Sequence, residues 1–461
     1  MAVVTARYGV NVPFWDEWVM VPLLQKAANG TLSLADLWLQ HNIHRPLFPY
    51  VVMLGLADIT RWDVRAELWL DVVLCIATFA LLWRLSGLSG LPRRARPWAA
   101  LAASAFLFSA VQAQNWLSSF QLLEYLMLPA VVGALLALVC WPGSPLAFAA
   151  AVGCAVVASF SFGAGIAVWL VGVIALMVLW RQNRYAYLAA WLACAALTLG
   201  LYFYHLDRGD GDPAYALAHP AHVVAYVLAY IGSWTRGAAY PAMILAAPGV
   251  DWLHVASGLK APLMLPLVDA LPGPVRSLLV GIPILAGMAG LLAAGLLHIP
   301  LIRDWQTWGR RWLPSLLLIY FVVIAAAMTS VQRLDLGVRQ ALANHYTTIS
   351  ALFWIGLIVP GVEWVIAARA GWKPERLAWA RKTAIVSALV AIVVYAASYV
   401  GGVVDIRQRS NAISRAGSAV LDPVTAPESS LQVLYPDTGF VRQAAITLRG
   451  LHESLYSALP G

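Results

Sequence analysis

The sequence predicts an all-α, polytopic membrane helix bundle of about 10–11 spans, with interfacial helices in its first outer loop. Two observations carry this. The chain is 61% hydrophobic and only 11% charged, with a mean hydropathy of +0.75, whereas a soluble domain has roughly 25% charged residues. Its apolar runs are also continuous and long enough for spanning helices of about 20 residues. A barrel would need many short strands of alternating pattern instead. The net charge of +8 is not a nucleic-acid signal, because the basic residues sit in short loops between the runs.

Taken in order, the spans fall near 64–86, 98–113, 121–141, 146–161, 163–180, 186–204, 278–298, 313–330, 347–368 and 382–403. Residues 46–60 are apolar but short, which suits a re-entrant or interfacial helix. Residues 222–262 are apolar and aromatic but broken by Gly232, Arg236, Pro241 and Pro248, and read as a segment that dips into the membrane. The chain thus divides into an outer-face region at 1–63, a transmembrane bundle at 64–403 and a short outer-face tail at 404–461. The tail, with turns at Asp422-Pro423 and Pro436-Asp437, reads as short helices packing over the site as a lid.

The positive-inside rule orients the bundle. Arg84, Arg93, Arg94 and Arg96 follow the first span; Arg181 and Arg184 the fifth; Arg303, Arg310 and Arg311 the seventh; Arg369, Lys373, Arg376, Arg381 and Lys382 the ninth. These loops share the cytoplasmic face of a plasma (inner) membrane, and the polar clusters fall on the other. The four cysteines, Cys75, Cys140, Cys154 and Cys194, lie in or at the ends of spans and form no disulfide or metal spacing. No cleavable signal peptide is evident. The stretch from Met1 to Gly9 reads either like the end of a spanning helix, implying an earlier first span, or like an N-terminus already outside.

Phe14-Trp15-Asp16-Glu17-Trp18 places two carboxylates between interfacial aromatics in a chain with only 22 acidic residues. Carboxylates at that depth are costly unless solvated or used. Downstream, Ser33 and Asp36 form a capping box. A helix starting there would bring His41, His44 and Arg45 to one face before Pro46 ends it. This corner could bind an anionic substrate; two histidines and a carboxylate could also hold a metal, and a solvated interfacial face is the plain alternative. A second cluster, between the spans at 313–330 and 347–368, holds Arg333, Arg339, His345 and Tyr346 among several hydroxyls. Arginine's planar fork suits phosphate; snorkelling is the alternative. A third set, Gln112, Gln114, Asn115, Trp116, Gln121 and Glu124, surrounds an outer turn. Glu124 opens a span and is expected to face the bundle interior or a cavity, with a capping and hydrogen-bonding role the equal alternative. The turn from Ser159 to Gly165 reads as structural, and the loop with His205, Asp207, Asp210 and Asp212 as merely polar, lacking a calcium-loop pattern.

The acid pair at 16–17, the interfacial helix and the His44-Arg45-Pro46-Leu47 corner resemble the GT-C integral-membrane glycosyltransferases. The corner is similar to that of protein mannosyltransferases and aminoarabinose transferases. As topology the resemblance covers most of the chain; as motif it covers only residues 14–17 and 44–47. Arg45 stands where that corner has a proline, the first helix of that fold is absent or truncated, and its large outer C-terminal domain is missing. The resemblance implies an inverting transfer of a sugar from a polyprenyl-phosphate donor to a lipid or glycan acceptor on the outer face. It makes Asp16 the general base, with Glu17 orienting it or sharing the role. From charge and side alone, Arg333, Arg339, His345 and Arg45 would stabilise the departing phosphate. Sugar, acceptor and any need for Mg²⁺ or Mn²⁺ are not specified by these residues. Two other readings use the same groups: a transporter or flippase for a lipid-linked anion, which would call for internal repeats and mid-span charges, and a non-catalytic assembly subunit.

Overall fold

The computed structural model describes residues 1–207, 211–239, 273–369 and 374–458. Among these the chain is built from helices and turns; the one bridge pairs His41 with His44. Seven helices among the described residues are long and apolar enough to cross a bilayer. The protein is a multi-pass, all-α membrane bundle.

The N-terminal region opens with α1 (Ala2–Tyr8), a 3₁₀ turn over Trp15–Met20, α2 (Val21–Ala28), α3 (Leu34–Leu37) and α4 (Leu47–Thr60). Ser33 caps α3 in the expected box, receiving the Asp36 amide while Asp36 receives the Ser33 amide at 2.9 Å. That helix spans only Leu34–Leu37, so the expected helical face carrying His41, His44 and Arg45 does not form. Instead the His41 amide donates to the His44 carbonyl and the reverse, each at 2.9 Å, with Asn42 left-handed at φ 51°. Pro46 does not end a helix; it caps the start of α4. The apolar face of α3 and α4 is exposed at Leu34 and Ile59, as an interfacial layer requires.

The bundle follows as α5 (Val64–Ser86), α6 (Arg96–Leu107), α7 (Leu122–Cys140), α8 (Pro145–Ser159), α9 (Ala167–Leu179) and α10 (Arg184–Phe203), then α11 (Pro213–Ala218) and α12 (Pro220–Ile231). α13 (Gly273–Arg303), α14 (Trp305–Arg333), α15 (Asn344–Arg369) and α16 (Pro374–Val420) complete it. α6 stops short of its expected end. Ser109 accepts from the Val111 amide, Trp116 donates to the Ser109 carbonyl at 2.9 Å and Gln112 to the Phe106 carbonyl at 3.0 Å. These local bonds replace helical ones, and Ala110–Trp116 becomes a 3₁₀ turn. Gly402 of α16 packs on the Ala110 carbonyl, where a Cβ would lie 2.0 Å from the oxygen. The expected dipping segment is α12 and a 3₁₀ turn at Ser233–Ala239 in its first part; its remainder from 240 lies outside the described residues, as do residues 208–210 of the polar loop.

α16 runs 47 residues, or about 70 Å at 1.5 Å per residue, far beyond a hydrocarbon core of about 30 Å. No proline interrupts it, and a buried Asp405–Arg409 pair at 2.9 Å stabilises its C-terminal part. The tail therefore begins as helix, followed by α17 (Glu428–Leu434) and α18 (Thr438–Leu451). α18 packs on α2, and one continuous apolar core joins Trp18 of the first region to Leu448 and Tyr456 of the tail.

The two ends of the bundle differ chemically. At one end Gly90 lies against the Arg311 guanidinium, Trp180 donates to the Leu138 carbonyl and Tyr187 to the Gly143 carbonyl. The first of these contacts joins two of the four basic loops, and the other two tie a third to the turn at 138–143. The opposite end collects the polar clusters.

Candidate functional site

The site grows from the turn at Trp15–Met20. Trp15 takes φ 57°, a strained conformation for a bulky residue, of the kind that concentrates at functional positions. What holds it is Glu17. Its carboxyl is buried and receives the Phe14 amide at 2.9 Å and the Ser119 amide at 2.6 Å. Burial, and then neighbouring Glu67, push the Glu17 carboxyl up to about 8. Glu17 is thus turned inward as a backbone clamp. Asp16 faces the other way, partly exposed, with Oδ2 3.3 Å from His41 Nε2. His41 packs edge-on against Phe120 at 4.7 Å.

Across the His41–His44 hairpin lies a small open pocket. His44, Thr329, Gln332, Arg333 and Tyr346 give it polar groups; Phe162, Tyr202, Phe203 and Met328 give it apolar ones. His44 is fixed by the Gly163 amide, which donates to Nδ1 at 3.2 Å, so the neutral ring carries its proton on Nε2. Burial, reinforced by His41 and Arg333, holds His44 well below the usual histidine range. A Cβ at Gly163 would stand 2.7 Å from His44 Nδ1, so only glycine allows this approach. Arg333 lines the pocket, and no carboxylate among the described residues forms an ion pair with it.

His345 stands beside Phe162 and Tyr346, at ring separations of 6.4 and 4.1 Å, within electrostatic reach of Arg333, Asp16 and Arg236. Its loop is pinned from two sides. Asn115 donates to the Asn344 carbonyl at 3.1 Å and to Thr348 at 2.6 Å, Thr348 bonds Gln112, and Arg236 bonds the Asn344 side chain. The third polar set is therefore a brace for the second.

Asp16, His41, His44, Arg333, His345 and Tyr346 come together at this end. Arg45 does not join them as a phosphate ligand. Its guanidinium is buried, donating to the Tyr202 and Trp38 carbonyls at 2.7 Å each and to the Tyr204 carbonyl, and lying over the Trp38 ring. Arg339 is half-buried on the turn Val338–Leu342 and does not line the pocket. Tyr435 of the tail meets Trp15 edge-on at 6.4 Å and lies within electrostatic reach of Asp16, so the tail reaches the turn that carries this carboxylate. The sequence reading missed Arg236, Tyr202 and the contact from Gly163. Arg236 had a signal, since an arginine inside an apolar stretch marks a functional or paired position.

Among the described residues no group of three or more His, Cys, Asp or Glu side chains converges to hold a metal ion. Asp16 and His41 offer two ligands at most, so a divalent cation here would take the rest from phosphate and water, as Mg²⁺ commonly does. No family model and no curated protein matches the chain. The fold and the site define its class as a polytopic α-helical membrane protein with a polar pocket at one end.

Proposed function

We propose that this protein is a membrane glycosyltransferase of the GT-C type. It moves a sugar, with inversion, from a polyprenyl-phosphate donor to a lipid or glycan acceptor on the extracytoplasmic face of the plasma membrane. The observation that carries this reading is Arg333: a cation without an ion-pair partner among the described residues, in a mainly apolar pocket, on the same end as the partly exposed Asp16. A phosphate suits Arg333, and a prenyl chain suits Phe203 and Met328.

In this reading Asp16 takes the proton of the acceptor hydroxyl as that oxygen attacks the anomeric carbon. His41 orients the carboxylate. The bond to the phosphate oxygen breaks, and Arg333, with the His44 N–H, offsets the charge on the departing polyprenyl phosphate. His44, neutral and a donor at Nε2, has the right form for this. The test is reconstitution in liposomes with radiolabelled polyprenyl-phosphate sugars and candidate acceptors. Acceptor-dependent release of polyprenyl phosphate supports the reading; movement of the lipid across the bilayer without loss of its sugar contradicts it.

One observation favours the transporter alternative as a second reading. Glu67, Asp71 and Glu124 are buried acids in the spanning helices α5 and α7, and intramembrane acids often mark proton paths. The same liposome experiment, with a pH-sensitive dye inside, separates the two.

A further inference from the structure

The pocket lies at one end of α14, and Arg311 lies near the other. Arg311 and Arg333 stand on this one helix, about 33 Å apart at 1.5 Å per residue. That is close to the thickness of a hydrocarbon core, so the two arginines mark opposite faces of the bilayer.

Exposed arginines collect at the Arg311 face. Arg84 ends α5, Arg93 and Arg94 follow in the loop to α6, Arg303 ends α13, and Arg310 and Arg311 lie on the second turn of α14. The two loops touch, because the Arg311 guanidinium lies against Gly90. The first loop is itself tied together. Ser89 donates to the Ser86 carbonyl at 2.6 Å and accepts from the Leu91 amide, and Arg96 folds back to donate to the Leu91 carbonyl at 3.3 Å.

Little opposes this charge. Residues 81–107 hold no acidic residue, and residues 296–313 hold only Asp304, which is occupied as the cap of α14, accepting from the Thr307 amide at 3.1 Å. Glu363 of α15 is buried and accepts from the Trp312 indole at 2.9 Å. Among the described residues no carboxylate forms an ion pair with any of the exposed arginines named above. Trp83, Trp98 and Trp305, adjoining them in sequence, are 45%, 73% and 43% exposed. Exposed tryptophans at the ends of apolar helices mark the headgroup layer.

Orienting the bundle requires basic loops on one side but no contact between them. Here two loops far apart in sequence meet, and their guanidinium groups lack counter-charges at headgroup depth. A phosphodiester suits the arginine forks. Acyl chains suit the exposed rings and the apolar helix ends, which a free phosphate would not use. We propose that the loops at 86–96 and 303–311 form a binding site for an anionic phospholipid, with Arg93, Arg94 and Arg311 at its phosphate. This site is separate from the pocket and does not depend on what the pocket binds.

The test titrates phosphatidylglycerol into the detergent-purified full chain and reads bound lipid by native mass spectrometry, with phosphatidylcholine and glycerol 3-phosphate alongside. Wild type should bind phosphatidylglycerol about tenfold or more tightly than phosphatidylcholine, and less tightly as salt rises. Arg93→Gln with Arg94→Gln should lower that affinity about tenfold or more. Both side chains are exposed, so this variant is expected to fold with an unchanged Tm. Arg311→Gln should also weaken binding, and Arg311→Lys should weaken it less. Arg181→Gln with Arg184→Gln removes equal charge from another loop at the same end and should leave the affinity unchanged. Equal affinity for the two phospholipids, full affinity in the Arg93/Arg94 variant or an equal loss in the Arg181/Arg184 variant overturns the site. So does binding of glycerol 3-phosphate as tight as that of the lipid, which would leave a site for free phosphate only.

Discussion

His41 Nε2 lies 3.3 Å from Asp16 Oδ2, while the adjacent Glu17 carboxyl faces the opposite way and binds two backbone amides. Two neighbouring acids therefore have separate tasks. Asp16 meets solvent and a histidine; Glu17 holds the strained turn that presents Asp16.

Glu17 sets a pH dependence of stability. Its carboxyl titrates at 4.5 when unshifted and at about 8 in the fold. Between those values the folded chain keeps a proton that the unfolded chain has lost, so stability falls as pH rises through this window and levels off above it. Glu17→Gln removes that slope but forfeits one backbone bond, worth about 1–3 kcal/mol. The variant is expected to be less stable than wild type near pH 5, with the gap closing toward pH 8, as thermal unfolding in detergent would record. A gap constant with pH would refute the assignment.

Arg45 is predicted to matter for stability rather than for substrate. Lysine cannot reach three carbonyls at once. Arg45→Lys should cost about 1.5–3 kcal/mol for each charged hydrogen bond it loses. Thermal unfolding checks this, and whatever protein remains folded should keep the wild-type donor KM.

Gly163→Ala tests the histidine it supports. The added methyl would displace His44 from a contact on which its tautomer depends. Turnover is expected to fall about tenfold or more, the lower range for a misplaced proton donor, while Tm changes little. An alanine variant with full activity would remove His44 from the mechanism.

Arg333→Gln should raise the donor KM by about tenfold to hundredfold, equivalent to losing a hydrogen bond to a charged group. Arg333→Lys should recover part of this, because the charge remains while the bidentate fork is lost. Steady-state kinetics across donor concentrations would show it.

How much of this was legible in the sequence follows from periodicity and side-chain range. Long apolar runs fixed the bundle, and the Ser33–Asp36 cap was found where its spacing put it. The helix beyond it was not, because Asn42 adopts a left-handed turn that no helical pattern announces. Asp16 and Arg333 were identifiable as scarce charges at an interface. Arg45 was misread as a phosphate ligand, since its three carbonyl partners lie 7 to 159 residues away. The contact between Gly163 and His44 spans 119 residues, and a glycine in a small-residue turn gives no sign of what approaches it.

The most direct test compares Asp16→Asn with Glu17→Gln in sugar transfer from a radiolabelled polyprenyl-phosphate donor. Removing the base should lower turnover about 10²–10⁴-fold, with donor binding and folding intact. Glu17→Gln, which alters only the support, should keep measurable turnover near neutral pH. Equal activity in Asp16→Asn and wild type, or loss confined to Glu17→Gln, would contradict the account.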